Sequence, residues 1–130
     1  MLVPFLYRLD REEFHGDETH WMTSSQVAFD LLVAGDLANS KWREQFYLYT
    51  QPQVGKVAIG ASLAAAGVRG SGNVIEYEWL LDPALNRERG AVPSDAELWS
   101  GRLPGAIAGW LGALMMWWLG SSCLLYTSPS

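Results

Sequence analysis

The sequence predicts a mainly α-helical protein with one short β element, in which a small helical domain is followed by a hydrophobic helix. Three observations support this fold class. Apolar residues recur at spacings of three and four between residues 24 and 66. Residues 74–81 are rich in β-branched and aromatic side chains, as strands are. Residues 103–119 carry no charge. We therefore divide the chain into a mostly helical region, residues 1–102, and an apolar helix, residues 103–119.

Composition excludes several classes of protein. The chain has 130 residues, of which 49% are hydrophobic, and it contains seven tryptophans. This is too apolar and aromatic for a disordered chain. The formal net charge of −5 argues against a nucleic-acid partner, because such proteins carry a basic patch. No cofactor-binding pattern is present, and we expect no cofactor.

The first half of the chain is predicted to form helices. Residues 2–7 are a weak strand candidate and residues 8–20 a polar loop. A helix is expected to begin near Ser24 or Ser25, and Gly35 can either end it or merely weaken it. A second follows the Asn39–Ser40 cap and stops at Pro52, and a third covers residues 54–66. We expect these helices to pack through one apolar set: Val27, Leu31, Trp42, Phe46, Ile59 and Leu63.

The second half contains the β element and a helix start. The strand predicted over residues 74–81 ends at Pro83, and residues 83–93 are expected to be a loop. Ser94 and Glu97 then form a capping-box pattern, in which each residue satisfies a free N–H of the other. The pattern predicts a short helix to about Arg102.

Three groups of residues were weighed as chemical sites. His15 and His20 bracket two carboxylates, but their spacing does not put both imidazoles on one helical face, and a solvated loop is favoured. Glu76 and Glu78 lie on one side of the predicted strand. Paired carboxylates can act as an acid and a base in catalysis, but the solvent-facing side of a half-buried strand is the favoured interpretation. The glycine-rich residues 67–72 follow a helix, whereas phosphate loops precede one. We therefore assign no catalytic, cofactor-binding or metal-binding residue, and whether the chain is an enzyme stays open.

The apolar helix is a candidate membrane span. Residues 103–119 have no polar face, and a helix that is apolar all round lies either in a membrane or in a deep protein core. Trp99 on one side and Trp117–Trp118 on the other are placed as interfacial aromatic residues are. Seventeen residues is the lower end of the spanning range, so a soluble core helix is the alternative.

Glycines along this helix predict contact with another helix. Gly105, Gly109 and Gly112 are spaced so that they fall on one stripe, and small residues let two helix backbones approach closely in lipid. We expect this stripe to support helix–helix self-association. The opposite side is expected to face lipid through Ile107, Leu111 and Leu114.

Residues 123–130 are expected to have a different origin from the rest of the chain. The string Cys-Leu-Leu-Tyr-Thr-Ser-Pro-Ser closely resembles the translation of one reading frame of a common transposase-type sequencing adapter. The resemblance implies that these residues are not native, that the natural chain continues beyond Ser122, and that the single cysteine, Cys123, belongs to this tail. We expect the tail to be extended or weakly structured, with no packing role.

These observations favour one function and leave two alternatives. The expected protein is the N-terminal part of a small membrane-associated protein with a structural or interaction role, whose soluble part is cytoplasmic. The first alternative is a soluble helical assembly or adaptor module. The second is an enzyme fragment whose catalytic residues lie beyond Ser122.

Overall fold

The fold is mainly helical, as the sequence predicts. The structure is a computed structural model that describes residues 3–7, 9, 13–68 and 77–126. Within these ranges the helices are α1 Val3–Leu6, α2 Asp17–Val33, α3 Lys41–Glu44, α4 Phe46–Tyr49, α5 Gln53–Ala65, α6 Pro83–Glu88 and α7 Asp95–Tyr126.

The core lies where α2, α5 and the first turns of α7 meet. Met22, Leu63 and Leu98 contribute one buried side chain from each of these helices. Partly buried apolar side chains surround them: Phe14, Ile59 and Val68. The expected packing set is therefore confirmed at Leu63, whereas Phe46 remains 59% exposed.

A glycine allows a close crossing of α5 and α2. Gly60 of α5 lies against α2, and a Cβ atom at this position would overlap the Ser25 backbone oxygen and the Phe29 Cβ atom. Ser25 and Ala28 are fully buried at the same contact. Small residues on both helices therefore set the distance between α2 and α5.

A buried lysine joins α5 to α4. The Lys56 side chain is fully buried, and its Nζ atom donates to the backbone oxygen of Leu48 at 2.9 Å and to that of Tyr47. These carbonyls belong to the last turn of α4, where no N–H within the helix is available to them. Burial lowers the pKa of Lys56, because removal from water disfavours its charged form.

Several expectations for the first half of the chain are wrong. Residues 3–6 are helical rather than a strand, and α2 begins at Asp17 rather than near Ser24. The expected second helix is broken at Gln45, whose ψ of 109° is extended, so α3 and α4 are separate turns. The predicted end of α2 is confirmed, since Gly35 follows it with a φ of +69°.

The described part of the predicted strand is not a strand. Residues 77–81 form coil and a turn, and residues 74–76 lie outside the described ranges. The buried Asn86 side chain forms hydrogen bonds with the backbone of this segment instead. Its Oδ1 accepts from the Glu78 N–H at 3.0 Å, and its Nδ2 donates to the Glu78 backbone oxygen at 2.9 Å. A side chain thus satisfies the backbone groups that a neighbouring strand would otherwise pair.

The last helix is longer than expected. The predicted capping box is present, with the Ser94 N–H 2.7 Å from Glu97 Oε2, but α7 then runs without interruption for 32 residues. Pro104 lies inside it rather than in a first turn. Cys123 to Tyr126 are helical, so the expected extended tail is wrong there, and residues 127–130 lie outside the described ranges.

A hydroxyl group from α5 compensates for Pro104. Because proline has no N–H, the carbonyl four residues earlier, that of Ser100, loses its helical donor. The Ser62 hydroxyl donates to this same oxygen at 2.7 Å. The bond satisfies the carbonyl and also ties α5 to α7 at the point where the proline would otherwise weaken the helix.

Candidate functional site

α7 changes its surroundings near Arg102. Before this residue, Leu98, Ser100 and Gly101 are buried against the domain. Gly101 packs so closely on α2 that a Cβ atom there would lie 2.7 Å from the Met22 Cε atom. After Pro104 most residues of the helix are exposed. The helix therefore leaves the domain within about one turn of Arg102.

Arg102 forms a clasp at this exit point. Its Nε and Nη2 atoms donate to the two carboxylate oxygens of Glu18 at 2.6 and 2.7 Å. The guanidinium also donates to the backbone oxygen of Glu13 at 3.3 Å and to that of Leu9. Both charged side chains are mostly buried, with 13% and 23% of their surfaces exposed. We call these four residues the Arg102 clasp.

The clasp keeps Glu18 ionised. Burial by itself raises the pKa of Glu18, because it disfavours the charged carboxylate. The hydrogen bonds from Arg102 and from the His15 N–H, together with the positive charge of Arg102, outweigh burial and hold the pKa below its ordinary value. The planar guanidinium suits this two-bond contact better than an ammonium group.

The helix beyond the clasp presents a continuous apolar surface. Residues 103–122 carry no charged side chain. Exposed large side chains follow one another here: Ile107, Leu111, Met115, Met116, Trp117, Trp118 and Leu119. The helix is long and apolar enough to cross a membrane by length and composition, and none of its most apolar stretch is buried in the structure.

Two opposite faces of this segment differ in their solvent exposure. Leu103, Ala106, Trp110 and Leu114 are half-buried, and at about 100° per residue they fall on one stripe. The glycine stripe lies on the opposite face by the same geometry. A Cβ atom at Gly105 or Gly112 would meet nothing within 4 Å, and Gly109 is exposed. The glycine face is thus open. Of the three residues predicted to face lipid, Ile107 and Leu111 are exposed, whereas Leu114 is half-buried.

Polar groups near the end of this segment are satisfied within the helix. The Ser121 hydroxyl donates to the Trp117 oxygen at 2.7 Å, and the Ser122 hydroxyl donates to the Trp118 oxygen at 2.9 Å. These bonds to the preceding turn give the hydroxyls of Ser121 and Ser122 an acceptor within the helix. They are compatible with surroundings that contain no water.

The other candidate groups are not brought together in the part of the chain that the structure describes. His15 is exposed, whereas His20 is buried and stacks on Tyr47 with ring centroids 4.2 Å apart. No group of three metal-ligand side chains occurs in the part of the chain that the structure describes. Glu78 is exposed and lies 3.6 Å from Arg89, and Glu76 is outside the described residues. Of the glycine-rich loop, Gly67 ends α5 with a φ of +68°, and residues 69–72 are outside the described ranges.

An aromatic cluster covers the start of α2. The rings of Tyr77 and Trp79 are 5.1 Å apart, and Tyr77 lies 5.5 Å from Phe14. A Cβ atom on Gly16 would lie 2.8 Å from both Tyr77 and Trp79, so glycine permits this contact. A surface cleft of about 330 Å³ adjoins the cluster, lined by Glu13, Phe14, Tyr77, Pro83, Ala84, Arg87 and Val92.

Sequence reasoning identified the apolar helix but not the clasp. In the sequence, Arg102 marks only the end of the predicted short helix, and its partner Glu18 is 84 residues away in the chain. Only the fold brings the two together. The acidic first turn of α2, Asp17 and Glu18, was the available signal for that helix start.

Comparison with known proteins adds no relative. No protein-family model, curated protein or solved structure matches this chain.

Proposed function

We propose that α7 anchors the small helical domain in a membrane, and that the protein acts there as a structural or interaction module. The observation that carries this proposal is the uncharged, exposed surface of α7 beyond the Arg102 clasp. Exposed apolar patches of this extent are rare on soluble monomers, because apolar surface in water is unfavourable. Lipid removes this surface from water without any change in the helical domain.

The dimensions support an anchor. Residues 103–122 would extend about 30 Å at 1.5 Å per residue, which is about the thickness of the hydrocarbon layer. Trp99, 39% exposed, and Trp117, 70% exposed, are 18 residues apart in one helix, or about 27 Å. Each would lie near one boundary of the layer, where tryptophan is favoured.

The charges support a depth and an orientation. Arg102 is the last charged residue before the apolar segment, and the clasp neutralises it beside Glu18. The clasp would therefore lie at the membrane surface, with the helical domain outside the lipid. We place this domain on the cytoplasmic side, because positively charged residues close to a span favour that side.

The interaction role would use the open glycine face. Gly101, the first residue of the same stripe, already permits the close contact of α7 with α2. Gly105, Gly109 and Gly112 continue the stripe along the proposed span, where a second copy of α7 could approach with the same closeness. Self-association through these glycines is part of the proposal.

Membrane insertion can be tested with two arginine variants. Leu111→Arg places a charge at the middle of the proposed span and should oppose insertion by about 3 kcal/mol. Leu80→Arg is the matched control, because Leu80 is 95% exposed on the helical domain. The full chain should resist alkaline extraction from membranes, the control should behave like it, and Leu111→Arg should be released.

The same experiment distinguishes the membrane anchor from a soluble adaptor module. A full chain that is recovered folded and monomeric in plain buffer would contradict the anchor. Recovery in a defined soluble complex that Leu111→Arg disrupts would instead support an adaptor module, in which α7 docks on a protein.

A further inference from the structure

We propose that α1 is a second membrane-contacting element, which lies beside α7 at the boundary between lipid headgroups and acyl chains. This inference rests on the proposed function, since it requires α7 to be inserted. It adds a second segment to the anchor and assigns a lipid surface as its partner. The observations behind it are the position of α1, its chemistry and its exposure.

The position of α1 follows from its contacts. α1 packs against α7. Two residues after the described part of this segment, the Leu9 backbone oxygen accepts a hydrogen bond from Arg102. The chain is therefore fixed at the level of the clasp, which is the proposed membrane surface.

The covered face of α7 indicates which way α1 extends. The half-buried stripe begins at Leu103 and includes Ala106 and Trp110, all of which lie beyond the clasp on the apolar side. The Trp110 indole N–H is buried and has no acceptor in the described part of the chain. The described groups that cover this side of α7 thus give the indole N–H no hydrogen-bond acceptor. In water this cover would cost the indole a hydrogen bond, whereas lipid has no water to lose.

The chemistry of α1 matches a lipid boundary. Residues 3–7, Val-Pro-Phe-Leu-Tyr, carry no charged side chain. Val3 is 73% exposed and Tyr7 69% exposed, so α1 keeps an outward apolar surface although it packs on α7. The helix has four residues, too few to satisfy its own backbone groups. Such a segment suits the boundary layer, where headgroups and water still reach the backbone, and not the centre of the bilayer.

The test uses a polarity-sensitive fluorophore attached to single cysteines. Cys123 is first replaced by serine, and the full chain is reconstituted in phosphatidylcholine vesicles. Val3→Cys reports on α1 and Met115→Cys on α7. Val54→Cys is the matched control, because Val54 is 85% exposed on the helical domain. Quenchers carried on the acyl chain, either near the headgroup or near the chain end, then measure the depth of each label.

The expected result is a blue-shifted emission at both Val3 and Met115, with the control label unchanged from water. The Val3 label should be quenched more strongly by the quencher near the headgroup than by the one near the chain end. A lipid-exposed Met115 label together with a fully aqueous Val3 label would overturn this inference and leave the anchor intact. Aqueous emission at both positions would overturn the anchor itself, and the inference with it.

Discussion

Glu18 and Arg102 meet where α7 leaves the helical domain, and each compensates the charge of the other at a mostly buried position. Removal of one partner leaves the other with unmet hydrogen bonds, which costs more than the loss of an exposed pair. Substitutions at these two residues should therefore change the stability of the domain.

Glu18→Gln should lower the free energy of unfolding by about 2 kcal/mol at neutral pH, because the neutral amide cannot replace the carboxylate in both bonds to Arg102. Glu88→Gln is the control, since Glu88 is exposed in the last turn of α6. Denaturant unfolding in mild detergent micelles measures both variants. An equal, small effect of the two substitutions would contradict the buried clasp.

The same pair predicts a pH dependence. The folded pKa of Glu18 is lowered, so its contribution to stability is fully present above its ordinary pKa of 4.5 and is lost as the pH falls through the lower folded value. The unfolding free energy of the full chain should therefore decrease below about pH 4.5. Glu18→Gln should decrease less over the same range, and parallel pH profiles would contradict the assignment.

Lys56 predicts a second pH dependence of the same sign, at alkaline pH. Its folded pKa is lowered, so the unfolded chain binds the extra proton between this lower value and the ordinary pKa of 10.5. The unfolding free energy should consequently rise with pH over that window. Lys56→Met should remove the rise, whereas Lys41→Met, at an exposed position, should keep it. Unfolding measured from pH 8 upward in detergent distinguishes the two variants.

At the scale of the elements, the bond between Ser62 and the Ser100 oxygen stands in for the N–H that Pro104 lacks. Ser62→Ala should cost about 1 kcal/mol, because it leaves this carbonyl without its donor. In a Pro104→Ala background the helix supplies an N–H at residue 104, and Ser62→Ala should then cost less. A double-mutant cycle measures the difference, and additive effects would show that the two residues do not share this carbonyl.

Gly55 and Gly60 give a matched pair in α5. Gly60→Ala should destabilise the domain by about 3 kcal/mol, since the added methyl group overlaps α2. Gly55→Ala should stabilise it by about 0.5–1 kcal/mol, because nothing lies within 4 Å and alanine favours a helix. Thermal unfolding of both variants checks the sign, and two stabilising changes would contradict the close crossing of α2 and α5.

Local signals predicted the elements that local chemistry controls. The Ser94–Glu97 capping box starts α7, and Gly35 ends α2 at a positive φ. α6 was missed although Asp82 caps it, with Oδ1 accepting from the Ala84 N–H at 2.8 Å, and Pro83 begins it. The Asp-Pro pattern is a helix start, but it directly follows the residues whose composition predicts a strand.

Elements that depend on distant partners were not predictable in the same way. The strand pattern at residues 77–81 had no strand to pair with among the described residues, and Asn86 bonds its backbone instead. The Arg102 clasp likewise depends on a fold that brings Glu18 beside the end of the domain. The apolar character of residues 103–119 was readable because it needs no partner.

At the scale of the whole molecule, the open glycine face predicts association between copies. Gly109→Leu should weaken self-association in a membrane reporter assay and leave insertion intact, because leucine blocks close approach but favours lipid. Ile107→Leu, on the opposite side, should change neither property. Equal self-association of Gly109→Leu and the full chain would contradict a role for this face.

The uninterrupted course of α7 has a mechanical consequence. One helix is both a part of the domain core, through Leu98, and the proposed anchor, so there is no joint at which the domain could swivel. The Ser62 bond at Pro104 stiffens the one place where the helix would bend most easily. Spanning helices tilt by about 20° on average, and more in thinner bilayers. The domain would tilt by the same angle. A change in bilayer thickness would therefore change the orientation of the domain relative to the membrane surface.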